Sequence, residues 1–259
     1  MVSTVANPLF DLTGRRALIT GSTQGIGFAL ATGLARAGAT IVLNGRDSGR
    51  VRAAVEKLSA FGYTVESAVF DVTDQPAVVD GVDRVEKENG AIDILINNAG
   101  IQRRAPLDEF PSENWHALIN ANLNSVFYVS QAVAKHMIPR RRGKIINICS
   151  VQSQLGRPTI APYTATKGAV AMLTKGMCAD WAKYGIQANG LAPGYFETEM
   201  NKALVENEEF SAWLYKRTPA GRWGKVEELN GAAIFLASDA SSFVNGQVIY
   251  VDGGMTSTV

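Results

Sequence analysis

The chain has 259 residues, with 25 basic and 24 acidic side chains and a formal net charge of +1 at pH 7. This balance argues against a nucleic-acid-binding protein and against a polybasic membrane binder. Two cysteines, Cys149 and Cys178, are too few for a disulfide framework and favour a reducing compartment. The sequence contains no apolar run of membrane-spanning length and no signal-peptide core near residue 1. We therefore expect a soluble, cytoplasmic protein.

Short apolar runs alternate with longer amphipathic runs along the chain. The strand candidates are residues 16–20, 40–44, 64–70, 92–98, 143–149, 186–193 and 246–254. Segments of helical length occupy residues 25–37, 47–61, 75–89, 112–138, 162–184 and 226–238. Several strand candidates are almost continuously apolar, which is typical of strands buried on both faces. The alternation predicts an α/β fold, namely a Rossmann-type, doubly wound parallel sheet of about seven strands with helices on both faces.

Nothing in the composition divides the chain, because no Pro/Gly/Ser-rich linker and no internal repeat interrupt the pattern. One domain is expected over residues 1–259. Residues 195–224 depart from the alternation, since they are rich in charged and aromatic side chains and separate two strand candidates. This segment is predicted to be a lid over a site; the alternative is a surface insertion with a few buried aromatic side chains.

A glycine-rich turn follows the first strand candidate, with the spacing G-x-x-x-G-x-G at the start of a helical segment. Backbone N–H groups at a helix start can approach a pyrophosphate, which the helix dipole also attracts. The position directly after the first strand favours a dinucleotide site. The predicted contacts are Gly21, Ser22, Thr23, Gln24, Gly25, Ile26 and Gly27.

The end of the second strand candidate indicates which dinucleotide binds. NAD sites usually place a carboxylate there, whereas this chain has Asn-Gly-Arg at 44–46. A guanidinium binds a 2′-phosphate that a carboxylate would repel. NADP is therefore the predicted cofactor, with NAD as the weaker one, and Arg46 is the main phosphate contact, helped by Ser22 or Thr23. Alternatively, Arg46 is a solvated turn residue and Asp47 caps the next helix.

Two further strand ends carry residues suited to a dinucleotide. Asp71 closes the third strand candidate and could accept a hydrogen bond from the adenine amino group, with Val72 beside it. A turn or N-cap role for Asp71 is nearly as good an explanation. The fourth strand candidate ends in NNAG, where small residues would let a cofactor pass close to the backbone. The contacts predicted there are Asn98, Ala99 and Gly100.

The fifth strand candidate ends at Ser150, on the edge where open α/β sheets bind ligands. Tyr163 and Lys167 follow with a spacing that places both on one helix face. A nearby ammonium favours the phenolate of a tyrosine, whose ordinary pKa is about 10. We expect Lys167 and an oxidised nicotinamide together to lower the pKa of Tyr163 by ~3 units and make it an acid–base catalyst. Taken singly, each residue could instead be solvated or part of the core.

These motifs resemble the short-chain dehydrogenase/reductase family over almost the whole chain. In the family's order they are TGxxxGxG (20–27), NNAG (97–100), a strand-end serine (150), YxxxK (163–167) and APG (192–194). The resemblance implies a catalytic tetrad of Asn122, Ser150, Tyr163 and Lys167, with Asn122 holding a water that relays protons. It also implies cofactor contacts from Tyr163, Lys167, Pro193, Gly194 and Thr198.

The stretches around the presumed pocket are similar to family members that interconvert D-gluconate and 5-dehydro-D-gluconate with NADP. These stretches are residues 144–158, 160–177, 189–200 and 218–224. The implied substrate contacts are Arg104, Ser150, Gln152, Arg157 and Tyr163, of which Arg104 is the expected carboxylate clamp. No metal site is predicted, because His116 and His136 lack ligand spacing.

Two alternatives remain open from the sequence. A 3-oxoacyl-[acyl-carrier-protein] reductase would share the tetrad and the cofactor, and the basic run 139–144 could meet an acidic carrier. A non-catalytic dinucleotide-binding regulator would have lost Tyr163 or Lys167, and this chain keeps both. The resemblance further implies a homotetramer that pairs through residues near 112–138, 162–184 and 244–259.

Overall fold

The computed structural model describes residues 7–259 of the chain. Within that range seven strands form one sheet, and every neighbouring pair is parallel. The strands are β1 (Arg16–Ile19), β2 (Thr40–Gly45), β3 (Val65–Val69), β4 (Ile94–Asn97), β5 (Gly143–Ile148), β6 (Ile186–Pro193) and β7 (Val248–Val251). Their order is β3-β2-β1-β4-β5-β6-β7. The predicted doubly wound sheet is confirmed; residues 1–6 of the predicted domain lie outside the described residues.

Helices connect the strands and cover both faces of the sheet. They are α1 (Gly25–Arg36), α2 (Ser48–Ser59), α3 (Gln75–Arg84), α4 (Ser112–Ile119), α5 (Ser125–Arg140), α6 (Ala161–Trp181), α7 (Lys202–Val205), α8 (Glu208–Arg217) and α9 (Asn230–Ala237). Apolar side chains of α1, α2 and α9 pack on one face, and those of α3, α5 and α6 pack on the other. Across residues 7–259, every helix is too short or too polar to cross a bilayer.

The central strand β1 explains why the strand candidates are continuously apolar. Ala17 and Ile19 pack with α1, α2 and α9, whereas Leu18 packs with α3, α5 and α6. Successive side chains of a strand point to opposite faces, and here both faces are covered. Each residue therefore contributes to burial, at roughly 25 cal/mol per Å² of apolar surface removed from water.

Two predicted helices differ from the structure. The segment predicted at 112–138 is interrupted by a widened, π-type turn at Asn120–Asn124, which separates α4 from α5. A second widened turn, Val85–Asn89, follows α3 within the segment predicted at 75–89. Such turns insert a residue into the helical repeat and often occur at functional sites.

The segment 195–224, for which the sequence predicts no helices, contains α7 and α8.

The strand order creates a crevice at one edge of the sheet. From β1 the chain runs outward to β2 and β3, and then returns to β4 on the other side of β1. Ligands of open α/β sheets bind outside the carboxyl ends of the strands at such a reversal. The loops after β1, β4 and β5 all start at this edge, and they carry the glycine turn, NNAG and Ser150.

Candidate active site

A cavity of about 460 Å³ follows the carboxyl edge of the sheet. Its wall includes the glycine turn after β1, the ends of β2 and β3, and NNAG after β4. The loop after β5, the first turn of α6 and residues after β6 complete it. The structure thus brings motifs that are far apart in the sequence to one continuous surface.

Main-chain conformation fixes the shape of the glycine turn. Gly21 and Gly25 have φ angles of +59° and +57°, which side-chain-bearing residues adopt at a cost. A Cβ on Gly27 would lie 2.5 Å from Nδ2 of Asn98 and 2.6 Å from the carbonyl oxygen of Gly21. The glycines therefore allow α1 to begin directly against the NNAG turn.

Hydrogen bonds join the glycine turn to NNAG. The amide of Asn98 donates to the carbonyl oxygens of Thr20 (2.9 Å) and Gly21 (3.0 Å). In return, Oγ1 of Thr20 accepts from the backbone N–H groups of Asn98 (3.0 Å) and Ala99 (3.1 Å). The two predicted cofactor motifs thus form one hydrogen-bonded unit.

The start of α1 suits the pyrophosphate of a dinucleotide. Its N-cap residue Gln24 makes no side-chain capping bond, and no acidic residue occupies the first turn. The first N–H groups of a helix need acceptors, and their partial positive charge favours an anion. Because Gly25, Ile26 and Gly27 line the cavity, these donors are available to a phosphate there.

The two predicted helpers of the 2′-phosphate contact behave differently. The hydroxyl of Ser22 donates to the carbonyl oxygen of Ile19 (2.7 Å) and accepts from the N–H of Asn44 (3.0 Å). Ser22 is fully buried and does not line the cavity, whereas Thr23 does. Of the pair, only Thr23 is in a position to contact a cofactor with its side chain.

Arg46 lines the cavity with 82% of its side chain exposed, and its Nη1 lies 3.8 Å from Oδ2 of Asp71. Asp71 also accepts hydrogen bonds from the N–H (2.9 Å) and hydroxyl (2.7 Å) of Thr73. Burial raises the pKa of Asp71, but the bonds from Thr73 and the charge of Arg46 outweigh it and leave the pKa below its ordinary value.

Asp47 caps α2 by accepting from the N–H of Arg50 (2.8 Å). Arg50 lines the cavity too, as a second cation that the sequence motifs do not predict.

Tyr163 lies in the first turn of α6, and Lys167 lies one turn later on the same face. The ammonium nitrogen of Lys167 is 5.8 Å from the centre of the Tyr163 ring and donates to the carbonyl oxygen of Ile148 (2.6 Å). Burial lowers the pKa of Lys167 to about 8. Ser150 ends β5 beside them and is 8% exposed. Serine, tyrosine and lysine therefore meet at the cavity wall.

Burial has the largest effect on the pKa of Tyr163 in the protein alone. Burial raises it to about 12, against the opposing effects of the Ser150 hydroxyl and the Arg104 guanidinium; the Cys149 thiol raises it further. In the protein alone, the low-dielectric surroundings disfavour the phenolate by more than nearby donors and charges favour it. The expected lowering by ~3 units, which Lys167 and an oxidised nicotinamide would cause together, stays a prediction.

Asn122 lies in the widened turn between α4 and α5, and it does not line the cavity. Its Oδ1 accepts from the N–H of Ile101 (2.8 Å), and its Nδ2 donates to the carbonyl oxygen of Ile101 (3.0 Å) and to Oγ1 of Thr166 (3.3 Å). Thr166 in turn donates to the carbonyl oxygen of Tyr163 (2.7 Å). Asn122 is 1% exposed, so its side chain ties the loop after NNAG to the helix that carries Tyr163.

Polar side chains, some with unpaired buried atoms, line the end of the cavity near Tyr163. Arg104 and Arg157 both contribute to the wall, and burial together with the charge of Arg157 lowers the pKa of Arg104. Gln152 is 6% exposed, and its Oε1 has no hydrogen-bond partner among the described residues. The Nε of Arg157 is likewise buried without a partner there. Unpaired buried polar atoms are costly, which is expected where a polar ligand binds.

Comparison with known proteins agrees with this geometry. A family model described as enoyl-(acyl carrier protein) reductase matches residues 21–256. The chain is 65% identical, over 248 residues, to the gluconate 5-dehydrogenase of Gluconobacter oxydans (strain 621H), covering 96% of this chain and 97% of that protein. It is 58% identical over 249 residues to the 5-keto-D-gluconate 5-reductase of Escherichia coli (strain K12), covering 96% and 98%.

The chain belongs to the short-chain dehydrogenase/reductase family. Among solved structures, a gluconate 5-dehydrogenase from Burkholderia cenocepacia J2315, crystallised with NADP and tartrate, superposes with a TM-score of 0.96. It is 65% identical, and the match covers 97% of this chain and 99% of that chain. The fold and motif order that the sequence predicts for a short-chain dehydrogenase/reductase are confirmed.

Three more of the predicted contacts of this short-chain dehydrogenase/reductase lie at the end of β6 or after it. Pro193, Gly194 and Thr198 line the cavity. A Cβ on Gly194 would lie 2.7 Å from Cα of Asp252, so glycine permits the close approach of two chain segments. The hydroxyl of Thr198 accepts from the N–H of Asn201 (3.3 Å). Asp71, Val72, Ala99 and Gly100 line the same cavity.

Residues 195–224 bring an aromatic cluster to the cavity. Tyr195 lines the wall, and its ring centre lies 5.6 Å from that of Phe210 and 5.8 Å from that of Trp223. The aromatic composition of this segment is visible in the sequence, but no motif there predicts Tyr195 as a site residue. That this segment moves as a lid stays a prediction.

Proposed function

We propose that this short-chain dehydrogenase/reductase reversibly transfers hydride between NADP(H) and a sugar acid, interconverting D-gluconate and 5-dehydro-D-gluconate. The observation that carries the proposal is the meeting of Ser150, Tyr163 and Lys167 with Arg104 in one cavity. An acid–base tyrosine and a cation for a carboxylate are what the oxidation of a hydroxy acid needs. The names of the relatives described above support the same substrate class.

The cavity fits NADP at both phosphate positions. The uncapped start of α1 offers N–H donors to the pyrophosphate, and Arg46 with Arg50 offers cations to the 2′-phosphate. Asn98, Ala99 and Gly100 would lie along the cofactor, with Pro193, Gly194 and Thr198 on the other side of the cavity. Bound there, NADP(H) would supply or take up the hydride. NAD, which lacks the 2′-phosphate, is the weaker cofactor in this proposal.

Tyr163 exchanges the proton of the reacting oxygen. Its pKa of about 12 keeps the phenol protonated at neutral pH, so Tyr163 is ready to donate a proton to the ketone oxygen during reduction. In the oxidation direction the same oxygen removes the proton of the alcohol. Ser150 hydrogen-bonds the reacting oxygen and holds it near the phenol. Lys167 adds positive charge beside the ring and can reach ribose hydroxyls, while Asn122 holds a water that relays protons.

The carboxylate of the sugar acid binds to Arg104. This guanidinium is close enough to Tyr163 to influence its pKa, and Arg157 lies on the same wall. A planar guanidinium offers two parallel donors to a carboxylate and so fixes which carbon faces the phenol. Gln152, with its unpaired Oε1, accepts a hydrogen bond from a sugar hydroxyl.

The surface of the chain gives little support to the alternative of a carrier-protein substrate. Arg140 pairs with Glu86 (2.6 Å), Arg142 pairs with Asp93 (3.0 Å), and Arg141 donates to a main-chain carbonyl (2.6 Å). This basic run precedes β5 and therefore lies at the amino edge of the sheet, opposite the cavity. An acidic carrier bound there could not deliver an acyl chain to Tyr163.

The test compares the two substrate classes directly. Purified protein is given NADPH with 5-dehydro-D-gluconate or with an acetoacetyl thioester, and loss of reduced cofactor is followed by absorbance. We expect rapid turnover of the sugar acid and little of the thioester. Turnover of the thioester with none of the sugar acid would overturn the proposal.

We also propose that four copies of the chain associate. Large apolar side chains are exposed on the helices that the sequence predicts to pair: Trp115 (40%), Phe127 (44%) and Met172 (64%). Phe243, just before β7, is fully exposed. Large exposed apolar side chains that come together in one patch favour association. Light scattering should give the mass of a tetramer, and a monomer at assay concentration would contradict it.

A cytoplasmic location stays a prediction from cysteine usage.

A further inference from the structure

Two arginines face the same cavity without a carboxylate to neutralise them. Within residues 7–259 no ion pair joins Arg104 or Arg157 to an acidic side chain. Their mutual repulsion contributes to the lowered pKa of Arg104. Placing like charges together in a partly dry site is unfavourable, and an anion between them would relieve the cost. This arrangement indicates a binding site for an anion.

Two aromatic side chains of the segment 195–224, Phe210 and Tyr195, contact the guanidinium of Arg157. The guanidinium carbon of Arg157 lies 5.5 Å from the centre of the Phe210 ring, a cation–π contact. The guanidinium is also beside the phenol of Tyr195, where its charge opposes the rise in the pKa of Tyr195 that burial causes. Arg157 itself belongs to the loop after β5, so these contacts join two separate parts of the cavity wall.

The aromatic pair is itself fixed by the fold. Trp223 packs against both Tyr195 and Phe210, with ring centres 5.8 and 6.1 Å away. Trp223 is 4% exposed, and its Nε1 donates to the hydroxyl of Ser211 on α8 (3.1 Å). A buried, hydrogen-bonded indole leaves the two rings little freedom. The position of the guanidinium is therefore set by residues 195–224 rather than by its own loop alone.

We propose that Tyr195 and Phe210 are specificity-determining residues that hold the Arg157 guanidinium in place as a second anchor for the substrate carboxylate. The inference rests on the proposed function, since it concerns how the same site selects an acid. A guanidinium held against aromatic rings is pre-organised and partly desolvated, which strengthens its bond to a carboxylate. Tyr195 and Phe210 act through Arg157 and are positioning residues.

The test separates the charge of the substrate from its shape. L-Sorbose has the carbon skeleton and ketone of 5-dehydro-D-gluconate but a neutral CH₂OH group in place of the carboxylate. We compare kcat/KM for the two ketones, and KM for NADPH, in the wild type and in Tyr195→Phe, Phe210→Leu and Arg157→Gln. Tyr215→Phe is the matched control, because Tyr215 is an exposed tyrosine of α8 outside the cavity wall.

We expect Phe210→Leu to lower kcat/KM for the acid by about 3- to 30-fold, the range of a cation–π contact, mainly by raising its KM. Tyr195→Phe removes the phenol oxygen beside the Arg157 guanidinium and should lower the same ratio by about 10- to 150-fold, the range of a hydrogen bond to a charged group. L-Sorbose reduction and KM for NADPH should stay within twofold, roughly the scatter of a neutral surface change. In the Arg157→Gln background, Phe210→Leu should cause no further loss for the acid, because the ring acts through the guanidinium. Tyr215→Phe should change nothing.

The outcomes that count against the inference are distinct from failure of the proposed function. Equal losses for both ketones, or full additivity of Phe210→Leu with Arg157→Gln, would show that the aromatic residues only support the fold. A wild-type protein that does not reduce 5-dehydro-D-gluconate would overturn the proposed function and this inference together. Should Phe210→Leu fold poorly, Tyr195→Phe decides the matter, because it keeps the ring and removes only the phenol oxygen.

Discussion

Lys167 donates a hydrogen bond to the main-chain carbonyl oxygen of Ile148 over 2.6 Å. The last residue of β5 thus fixes the ammonium one helical turn from Tyr163. Burial lowers the pKa of Lys167 to about 8 and raises that of Tyr163 to about 12. In both cases burial favours the neutral form of the side chain. The protein alone therefore provides a proton donor, and additional positive charge is needed to make the tyrosine a base.

Replacing Tyr163 with phenylalanine should remove nearly all turnover. The substitution deletes only the phenol oxygen, so kcat should fall by about 10²- to 10⁴-fold, the usual contribution of an acid–base group. NADPH binding, measured by fluorescence titration, should change little. Tyr184→Phe is the control, since Tyr184 lies outside the cavity wall. Retention of more than a few per cent of wild-type turnover would refute the assigned role of Tyr163.

The two reaction directions should respond differently to pH. Reduction uses the protonated phenol, which a pKa of about 12 keeps fully populated at neutral pH, so its rate should not rise with pH. Oxidation uses the deprotonated oxygen, whose population grows about tenfold per pH unit below the pKa. Initial rates in both directions, measured from neutral to alkaline pH at constant ionic strength, check this. A reduction rate that rises with pH across this range, or an oxidation rate that falls across it, would contradict this.

Arg46→Ala should weaken NADP binding and spare NAD. Loss of a charge-assisted hydrogen bond to a phosphate costs about 1.5–3 kcal/mol, which corresponds to a roughly 10- to 150-fold rise in KM for NADP. KM for NAD should barely change, because NAD has no 2′-phosphate. Arg52→Ala is the control, an exposed arginine of α2 that does not line the cavity. If the wild type prefers NAD, the interpretation of residues 44–46 is wrong.

The sequence predicts the sheet well because its signals are local. Strands buried on both faces are visible as apolar runs, and a glycine turn is visible from its spacing. The predicted contacts from the glycine turn and NNAG, together with Tyr163 and Lys167, lie around one cavity in the structure, with the exception of Ser22. Its hydroxyl is turned inward to the end of β1, a contact that spacing alone does not reveal.

What the sequence could not predict depends on contacts between distant residues. Nothing in residues 112–138 marks the widened turn at Asn120–Asn124, because its residues are ordinary helix formers or amides. Tyr195 reaches the cavity only through its packing with Phe210 and Trp223. The pKa of Tyr163 depends on how deeply the phenol is buried, which motif spacing does not encode.

Thr166, on α6, joins Asn122 of the widened turn to Tyr163. Its hydroxyl accepts from the amide of Asn122 (3.3 Å) and donates to the carbonyl oxygen of Tyr163 (2.7 Å), and it is fully buried. Thr166→Val keeps the shape but leaves the Asn122 amide short of an acceptor, at a cost of about 1–3 kcal/mol. We expect kcat to fall roughly 5- to 100-fold, within that energy range, with KM for NADPH unchanged.

Thr166→Ser separates positioning from simple support of the fold. It restores the hydroxyl while removing a methyl group, so it should recover most of kcat even if its melting temperature is below that of Thr166→Val. Turnover and thermal unfolding are measured on all three proteins. A purely structural role predicts that kcat follows the melting temperature in both variants. Catalytic positioning predicts that kcat follows the hydroxyl, because only the hydroxyl fixes Asn122 relative to Tyr163.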